Sequence, residues 1–159
     1  LRPGAITKEM FEGVVGTVAV DHTLIKPDSK EVPKAPGMKY RHYAPAADFR
    51  IFKGDANKVA QHIIDSANAK AEEGKKTGII TANQHLGLYQ GKINENIKVV
   101  SLGDLDKPET IANMLFKALR DFDKEGTEFI FGEAFSEDNI GWAIMNRLTK
   151  AAGYNIMDV

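Results

Sequence analysis

The sequence contains no cysteine, so disulfides, thiolate metal sites and a cysteine nucleophile are excluded, and a reducing compartment is permitted without being required. It also lacks a charge bias. Its 21 Lys and Arg residues against 22 Asp and Glu residues leave a formal charge of −1, without the strongly basic field on which most nucleic-acid binding depends. Strong direct nucleic-acid binding is not expected. No apolar run approaches the roughly 18 to 20 residues of a membrane span, and the opening Leu1-Arg2-Pro3-Gly4 has no signal-peptide core. The expectation is a cytoplasmic protein that meets no membrane. Methionine is missing from the start, and Leu1-Arg2-Pro3-Gly4 reads as the middle of a longer protein, so the chain is expected to be a fragment.

What is present is 159 residues, 43% hydrophobic and 27% charged, enough for one domain that buries roughly 68 to 70% of its unfolded surface without staples. Five of the six prolines fall before residue 48. That stretch is irregular apart from a short helix at Thr7 to Val15, and it reads as a linker. After Asp48 the pattern becomes regular. Strands are predicted at Phe49 to Lys53, Thr77 to Thr81, Ile97 to Leu102, Glu128 to Phe131 and Tyr154 to Met157. Helices are predicted from a cap near Asp55 to Gly74, from Pro108 to about Asp123, and from about Asn139 to Ala152. The apolar stripes are Val59, Ala60, Ile63, Ile64, Ala67 and Ala71 in the first, and Ile111, Leu115, Ala118, Leu119 and Phe122 in the second. Asn83 to Asn94 stays ambiguous. Strands alternating with long helices imply right-handed crossovers. The fold class is therefore α/β: a Rossmann-like three-layer sandwich with a mainly parallel open sheet, preceded by an irregular linker, with the division at 1–47 and 48–159.

Ligands of such sheets lie outside the carboxyl ends of the strands, which places any site of the sandwich near Thr81-Ala82-Asn83, Gly103-Asp104 and Gly132-Glu133. Nucleotide fingerprints fail. No Gly-x-Gly-x-x-Gly follows a strand, and Gly87 to Ile93 misses P-loop spacing and its Ser/Thr. Glu133, Glu137 and Asp138 could hold a hard cation, but capping of the following helix is the better reading. His22, His42, His62 and His85 share no metal-ligand spacing, so no metal site is assigned, and nothing in the sequence brings His85 near a serine. On the last helix Asn146, Arg147 and Lys150 form a polar side, which reads as a solvated face or as a docking face for another domain.

The segment Lys39 to Pro45 stands apart from an ordinary spacer. Lys39, Arg41 and His42 suit phosphate, and Tyr40 and Tyr43 suit stacking or packing, between Pro36 and Pro45. Packing of the tyrosines against the sandwich is an equal alternative on composition.

Three stretches carry a resemblance to a known family. They are Leu1 to Thr7, Pro36-Gly37-Met38-Lys39-Tyr40-Arg41-His42-Tyr43-Ala44-Pro45, and Gly141 to Ala152 with its Trp142-Ala143-Ile144-Met145-Asn146-Arg147-Leu148 core. In this order they resemble the long form of threonylcarbamoyl-AMP synthase, in which a YrdC-like catalytic domain is followed by a linker and a Rossmann-like C-terminal domain. The resemblance implies that threonine, bicarbonate and ATP give threonylcarbamoyl-AMP and pyrophosphate, for threonylcarbamoyladenosine in tRNA. ATP, with magnesium, would serve the full-length enzyme, and the partner would be the YrdC-like domain of the same polypeptide. It also implies that Lys39, Tyr40, Arg41, His42 and Tyr43 cross the catalytic cavity. No catalytic residue and no tightly bound cofactor are expected in this chain, which alone should be inactive. Ser66-Ala67-Asn68 resembles a motif of the catalytic half but lies in an amphipathic helix and is read as coincidence. The competing expectation is a free-standing module that binds a nucleotide or other small ligand for regulation. A weaker third is a structural domain that sets subunit contacts.

Overall fold

A computed structural model describes residues 6, 8–19 and 44–159. Helix α1 (Lys8–Val15) is followed after the linker by β1 (Asp48–Lys53), α2 (Ala56–Glu72) and β2 (Thr77–Thr81). A 3-10 turn at Asn83–His85 leads into α3 (Leu86–Tyr89), then β3 (Lys98–Ser101), α4 (Pro108–Lys124), β4 (Phe129–Glu133), α5 (Ile140–Ala151) and β5 (Ile156–Asp158).

The five strands form one parallel sheet in the order β3-β2-β4-β1-β5. The chain moves one way along the sheet from β1 to β2 to β3, then reverses to reach β4 and β5. With right-handed crossovers, that reversal sends α2 and α3 to one face and α4 and α5 to the other. The core divides accordingly. Ile63, Ile79, Phe131 and Tyr89 pack on the first side, and Ile80, Ile130, Leu115 and Ile144 on the second. Consecutive residues such as Ile79 and Ile80 feed opposite faces, as a pleated strand covered on both sides requires. The expected three-layer α/β sandwich is the observed one.

Local chemistry explains the boundaries. Asp55 caps α2, its Oδ1 accepting from the backbone N–H groups of Asn57 and Lys58 at 3.1 and 3.2 Å. Pro108 opens α4, whose missing N–H costs nothing in the first turn. The buried residues of α4 are Ile111, Leu115, Ala118, Leu119 and Phe122, the predicted stripe. Gly78 in β2 leaves room for the ring of Phe122 where a Cβ would collide.

Some expectations need correction. Strand β4 begins one residue later than predicted and runs on through Gly132 and Glu133, because it is paired on both sides, with β1 and with β2. Glu133 is therefore part of the strand, not of the loop to α5. Strand β5 starts at Ile156, since Tyr154 takes a left-handed conformation with φ 67° as the chain leaves α5. The ambiguous stretch Asn83 to Asn94 resolves into a helical part, Asn83 to Tyr89, and a turn in which Gly91 takes φ 70°. Pro45 and Ala47 are already buried, and Ala47 joins the core beside α4 and α5, so packing begins just before the expected division at 48. Among the described residues no helix is long and apolar enough to cross a membrane.

Candidate functional site

Adjacent strands β2 and β4 send their crossovers to opposite faces, and crevices form at the carboxyl ends of such strands. Two of the buried polar side chains, Thr81 and Glu133, lie there. Glu133, at the end of β4, is 4% exposed. A carboxylate buried to that degree needs donors, and it has three. The N–H of Ala82 donates to Oε1 at 2.7 Å, the Thr81 hydroxyl donates to the same oxygen at 3.1 Å, and His85 Nδ1 lies 2.8 Å from Oε2. The two carboxylate oxygens thus divide the work, Oε1 accepting from the turn after β2 and Oε2 facing the imidazole.

A second layer ties the same turn to β3 and its loop. The Asn83 amide donates to Asp104 Oδ1 at 3.0 Å while its oxygen accepts from the Ser101 hydroxyl at 2.5 Å. The Asn83 N–H reaches Gly103 O at 2.8 Å, and Gln84 Oε1 accepts from Leu105 N at 3.1 Å. Beneath this network Tyr89 is 1% exposed, and its hydroxyl makes no hydrogen bond of regular geometry. Burial, then the nearby Glu133 charge, pushes the phenol well above its ordinary range, with the Thr81 hydroxyl opposing in part.

The three strand ends singled out in the sequence thus meet in one place. Glu137 and Asp138 do not join them. Glu137 pairs with Lys53 at 3.0 Å, and Asp138 accepts from the Ser136 hydroxyl at 2.8 Å. The expected capping of α5 by these carboxylates is not observed, for its N-cap is Asn139, at φ 49°, with no side-chain cap bond. Among the described residues no group of three or more His, Asp and Glu side chains is arranged to hold a metal. His62 is exposed and stacks on Phe52 with ring centroids 6.1 Å apart. Asn68 receives the N–H of Asn94 and donates to Lys92 O, which anchors the loop before β3 to α2. Asn146, Arg147 and Lys150 are each half-buried, and the Arg147 guanidinium lies over the Phe116 ring of α4, 5.7 Å from its centroid. Lys39, Tyr40, Arg41, His42 and Tyr43 lie outside the described residues.

Sequence reasoning missed the Glu133–His85 pair, although one signal was available. A glutamate closing the apolar run Phe129-Ile130-Phe131-Gly132 is a charge in a place where apolar residues are the rule.

The edge is poorly suited to phosphate. Asp55 holds the N-terminus of α2 with its own carboxylate, where a dinucleotide fold would place a pyrophosphate, and the backbone of Val159 closes against Gly54.

Comparison with known proteins adds the family. A model described as "Threonylcarbamoyl-AMP synthase, C-terminal domain" matches residues 6–153. The chain belongs to this family. It is 41% identical over 157 residues to the threonylcarbamoyl-AMP synthase of Bacillus subtilis and 42% identical over 159 residues to that of Pyrococcus abyssi. These alignments cover 99% and 100% of the chain but 42% and 43% of the relatives, so it spans about two fifths of their length. Pyrococcus abyssi Sua5 solved in complex with L-threonine is similar over the whole chain, with 40% identity and a TM-score of 0.82, and 43% of that protein is covered. The C-terminal Sua5 domain of Pyrococcus horikoshii, wholly covered by 73% of this chain, matches at 32% identity with a TM-score of 0.53. Members of the threonylcarbamoyl-AMP synthase C-terminal family thus share the parallel α/β architecture found here.

Proposed function

We propose that this chain supplies the linker and the accessory C-terminal domain of a two-domain threonylcarbamoyl-AMP synthase, with the division near residue 48. Residues 1–47 comprise the end of the catalytic domain and the linker, and 48–159 the accessory sandwich. The observation that carries this reading is the coverage: essentially all of the chain aligns to about two fifths of each relative. A YrdC-like domain on the same polypeptide then binds threonine, bicarbonate and ATP, with magnesium, and forms threonylcarbamoyl-AMP and pyrophosphate in the cytoplasm. Lys39, Arg41 and His42 face phosphate oxygens from the linker, and Tyr40 and Tyr43 fix it by packing. A solved variant of Pyrococcus abyssi Sua5 has a histidine and the adjacent tyrosine replaced by alanine, and His42-Tyr43 is the single His-Tyr pair of this sequence. On the accessory domain Asn146, Arg147 and Lys150 are the candidate docking face.

The chain by itself is predicted not to make threonylcarbamoyl-AMP, since it gathers no cluster of cations for a triphosphate among its described residues. Pyrophosphate release from ATP that depends on both threonine and bicarbonate is the assay. A full-length relative should release it and the 159-residue chain should not; release by the chain alone would overturn the division of labour. The competing reading as a nucleotide-binding regulatory module is disfavoured by the aspartate at the α2 N-terminus, and saturable ATP or AMP binding in calorimetry would restore it.

A further inference from the structure

Helix α5 has no exposed residue along its whole length. Ile144, Leu148 and Ala151 turn its inner side to the core, and by helical spacing Asn146 and Lys150 lie on the opposite side. A helix laid on a sheet ordinarily leaves that outer strip open. Helix α2 exposes Lys58, Gln61, His62 and Asp65, and α4, on the same face of the sheet as α5, exposes Asn113, Lys117 and Arg120. On α5, by contrast, Asn146, Arg147 and Lys150 are all half-buried, and Ala143, one turn from Arg147, is 3% exposed. The sheet lies beneath this strip and α4 beside it, so neither supplies the cover.

The path of the chain points to the occupant. Ala47 joins the core beside α4 and α5, Pro45 is buried, and the Ala46 N–H donates at 2.8 Å to Asp123 Oδ1 in the last turn of α4. The chain therefore enters the sandwich along this face. From Asp123 back to Phe116 the helix rises about 10 Å, and three residues of extended chain span about the same distance, so a segment running from Ala46 up the groove between α4 and α5 brings Tyr43 level with Phe116. There the Arg147 guanidinium lies 5.7 Å from the Phe116 ring centroid, a stack that a tyrosine ring extends. Tyr40 stands three positions before Tyr43, the repeat of a polyproline-type strand, so one edge can carry both rings. Lys39, Arg41 and His42 then turn away from a face that already holds Lys117, Arg147 and Lys150. We infer that the groove between α4 and α5 is the docking surface of the linker, with Tyr43 on the Phe116–Arg147 pair and Tyr40 farther along toward Ala143. This rests on the linker reading of residues 1–47 and goes beyond it, for the partner of Asn146, Arg147 and Lys150 is the chain's own linker rather than the catalytic domain.

The absence of cysteine supplies the test, because Arg41→Cys creates a single site for a nitroxide, whose unpaired electron broadens nearby amide signals. In the 15N-labelled 159-residue chain the label should bleach the amides of Phe116, Ala143 and Arg147 and leave those of His62 and Asp65, across the sheet on α2, intact. Replacing Tyr40 and Tyr43 together by alanine should restore most of the lost intensity. Arg147→Ala should restore part of it, and keeps the test open if the tyrosine variant fails to fold. No activity is measured, so failure here leaves the division into linker and accessory domain standing. Even broadening on both sides of the sheet would make the linker a loose tether, and an unbroadened α4–α5 face would leave it to the catalytic domain. Equal broadening when the nitroxide and the 15N sit on separate, mixed chains would assign the face to a second copy. Any of these outcomes, or bleaching that survives both sets of substitutions unchanged, would overturn the inference.

Discussion

The ring of Phe122 in α4 occupies the space that a side chain at Gly78 in β2 would need. Helix and sheet are thereby brought closer than any larger residue at 78 would allow. Gly78→Ala should force the ring or the helix aside and destabilise the chain by about 1 to 3 kcal/mol, the usual range for overpacking. Phe122→Ala should cost more, about 3 to 5 kcal/mol, by leaving a cavity. Urea unfolding of both single variants and the double variant checks the pairing. If Gly78 matters only through this ring, the double variant loses less than the two single losses combined.

Glu133 is the buried end of another such relationship. Replacing it by leucine removes the acceptor for Ala82 N–H, the Thr81 hydroxyl and His85 Nδ1 together. A loss of roughly 3 kcal/mol is expected, since stranded donors cost about 1 to 3 kcal/mol each and the half-buried imidazole can turn toward water. Glu133→Gln should recover part of that loss, because its amide oxygen still accepts from the backbone. Equal stability of wild type and Glu133→Leu would show that the network is ornamental.

Much of the scaffold is legible in the amino-acid sequence alone. The stripe of α4 and the cap at Asp55 follow from helical spacing and from a side chain that accepts N–H bonds locally, so one window of sequence contains the whole cause. Local pattern starts β4 one residue too early and stops it short of Glu133, because the limits of that strand are fixed by neighbours on both sides rather than by its own residues. The site is half legible. The strand ends Thr81, Gly103 and Glu133 follow from the parallel-sheet rule, but the meeting of His85 with Glu133, 48 positions apart, depends on the order β3-β2-β4-β1-β5, which local pattern does not encode. The Lys39 to Tyr43 motif lies outside the described residues, and its role rests on the resemblance and the residue types.

Tyr89 offers a test in the opposite direction. Its hydroxyl is buried without a regular partner, so Tyr89→Phe removes a desolvated group and keeps the ring. The variant should be as stable as the wild type or more stable by about 1 kcal/mol. Thermal or urea unfolding decides the point. A loss above about 1 kcal/mol would mean that the hydroxyl makes a structural hydrogen bond, and Thr81 would be its partner.

Glu128 governs part of the acid limb of stability. Its carboxylate is held below the ordinary value of 4.5 by the hydrogen bond from Lys75 Nζ, then by the N–H of Lys76. A group depressed in the folded state contributes stability above its unfolded pKa, and the contribution is lost as pH falls through the folded value. Unfolding midpoints should therefore decline less steeply below about pH 4.5 in Glu128→Gln than in wild type. The pair is exposed, so the difference between the two curves should shrink at about 1 M salt. Superimposable acid limbs at low salt would remove Glu128 from the account.

The linker carries the last prediction, made for a full-length synthase that contains this segment. If Lys39, Arg41 and His42 close over bound triphosphate, the lid excludes water, which strengthens each charge-assisted contact and shields a reactive carbamate from hydrolysis. Such contacts are worth about 1.5 to 3 kcal/mol each, so Arg41→Ala or His42→Ala should lower turnover roughly ten-fold or more while leaving the unfolding curve in place. His62→Ala, at an exposed ring stacked on Phe52, serves as the control and should leave turnover within about two-fold of wild type, as surface changes away from a site do. Steady-state pyrophosphate release with ATP, threonine and bicarbonate gives the comparison. Unchanged turnover in the triple alanine variant at Lys39, Arg41 and His42 would reduce the segment to a tether, and Tyr40 and Tyr43 would then be there to pack it against the sandwich.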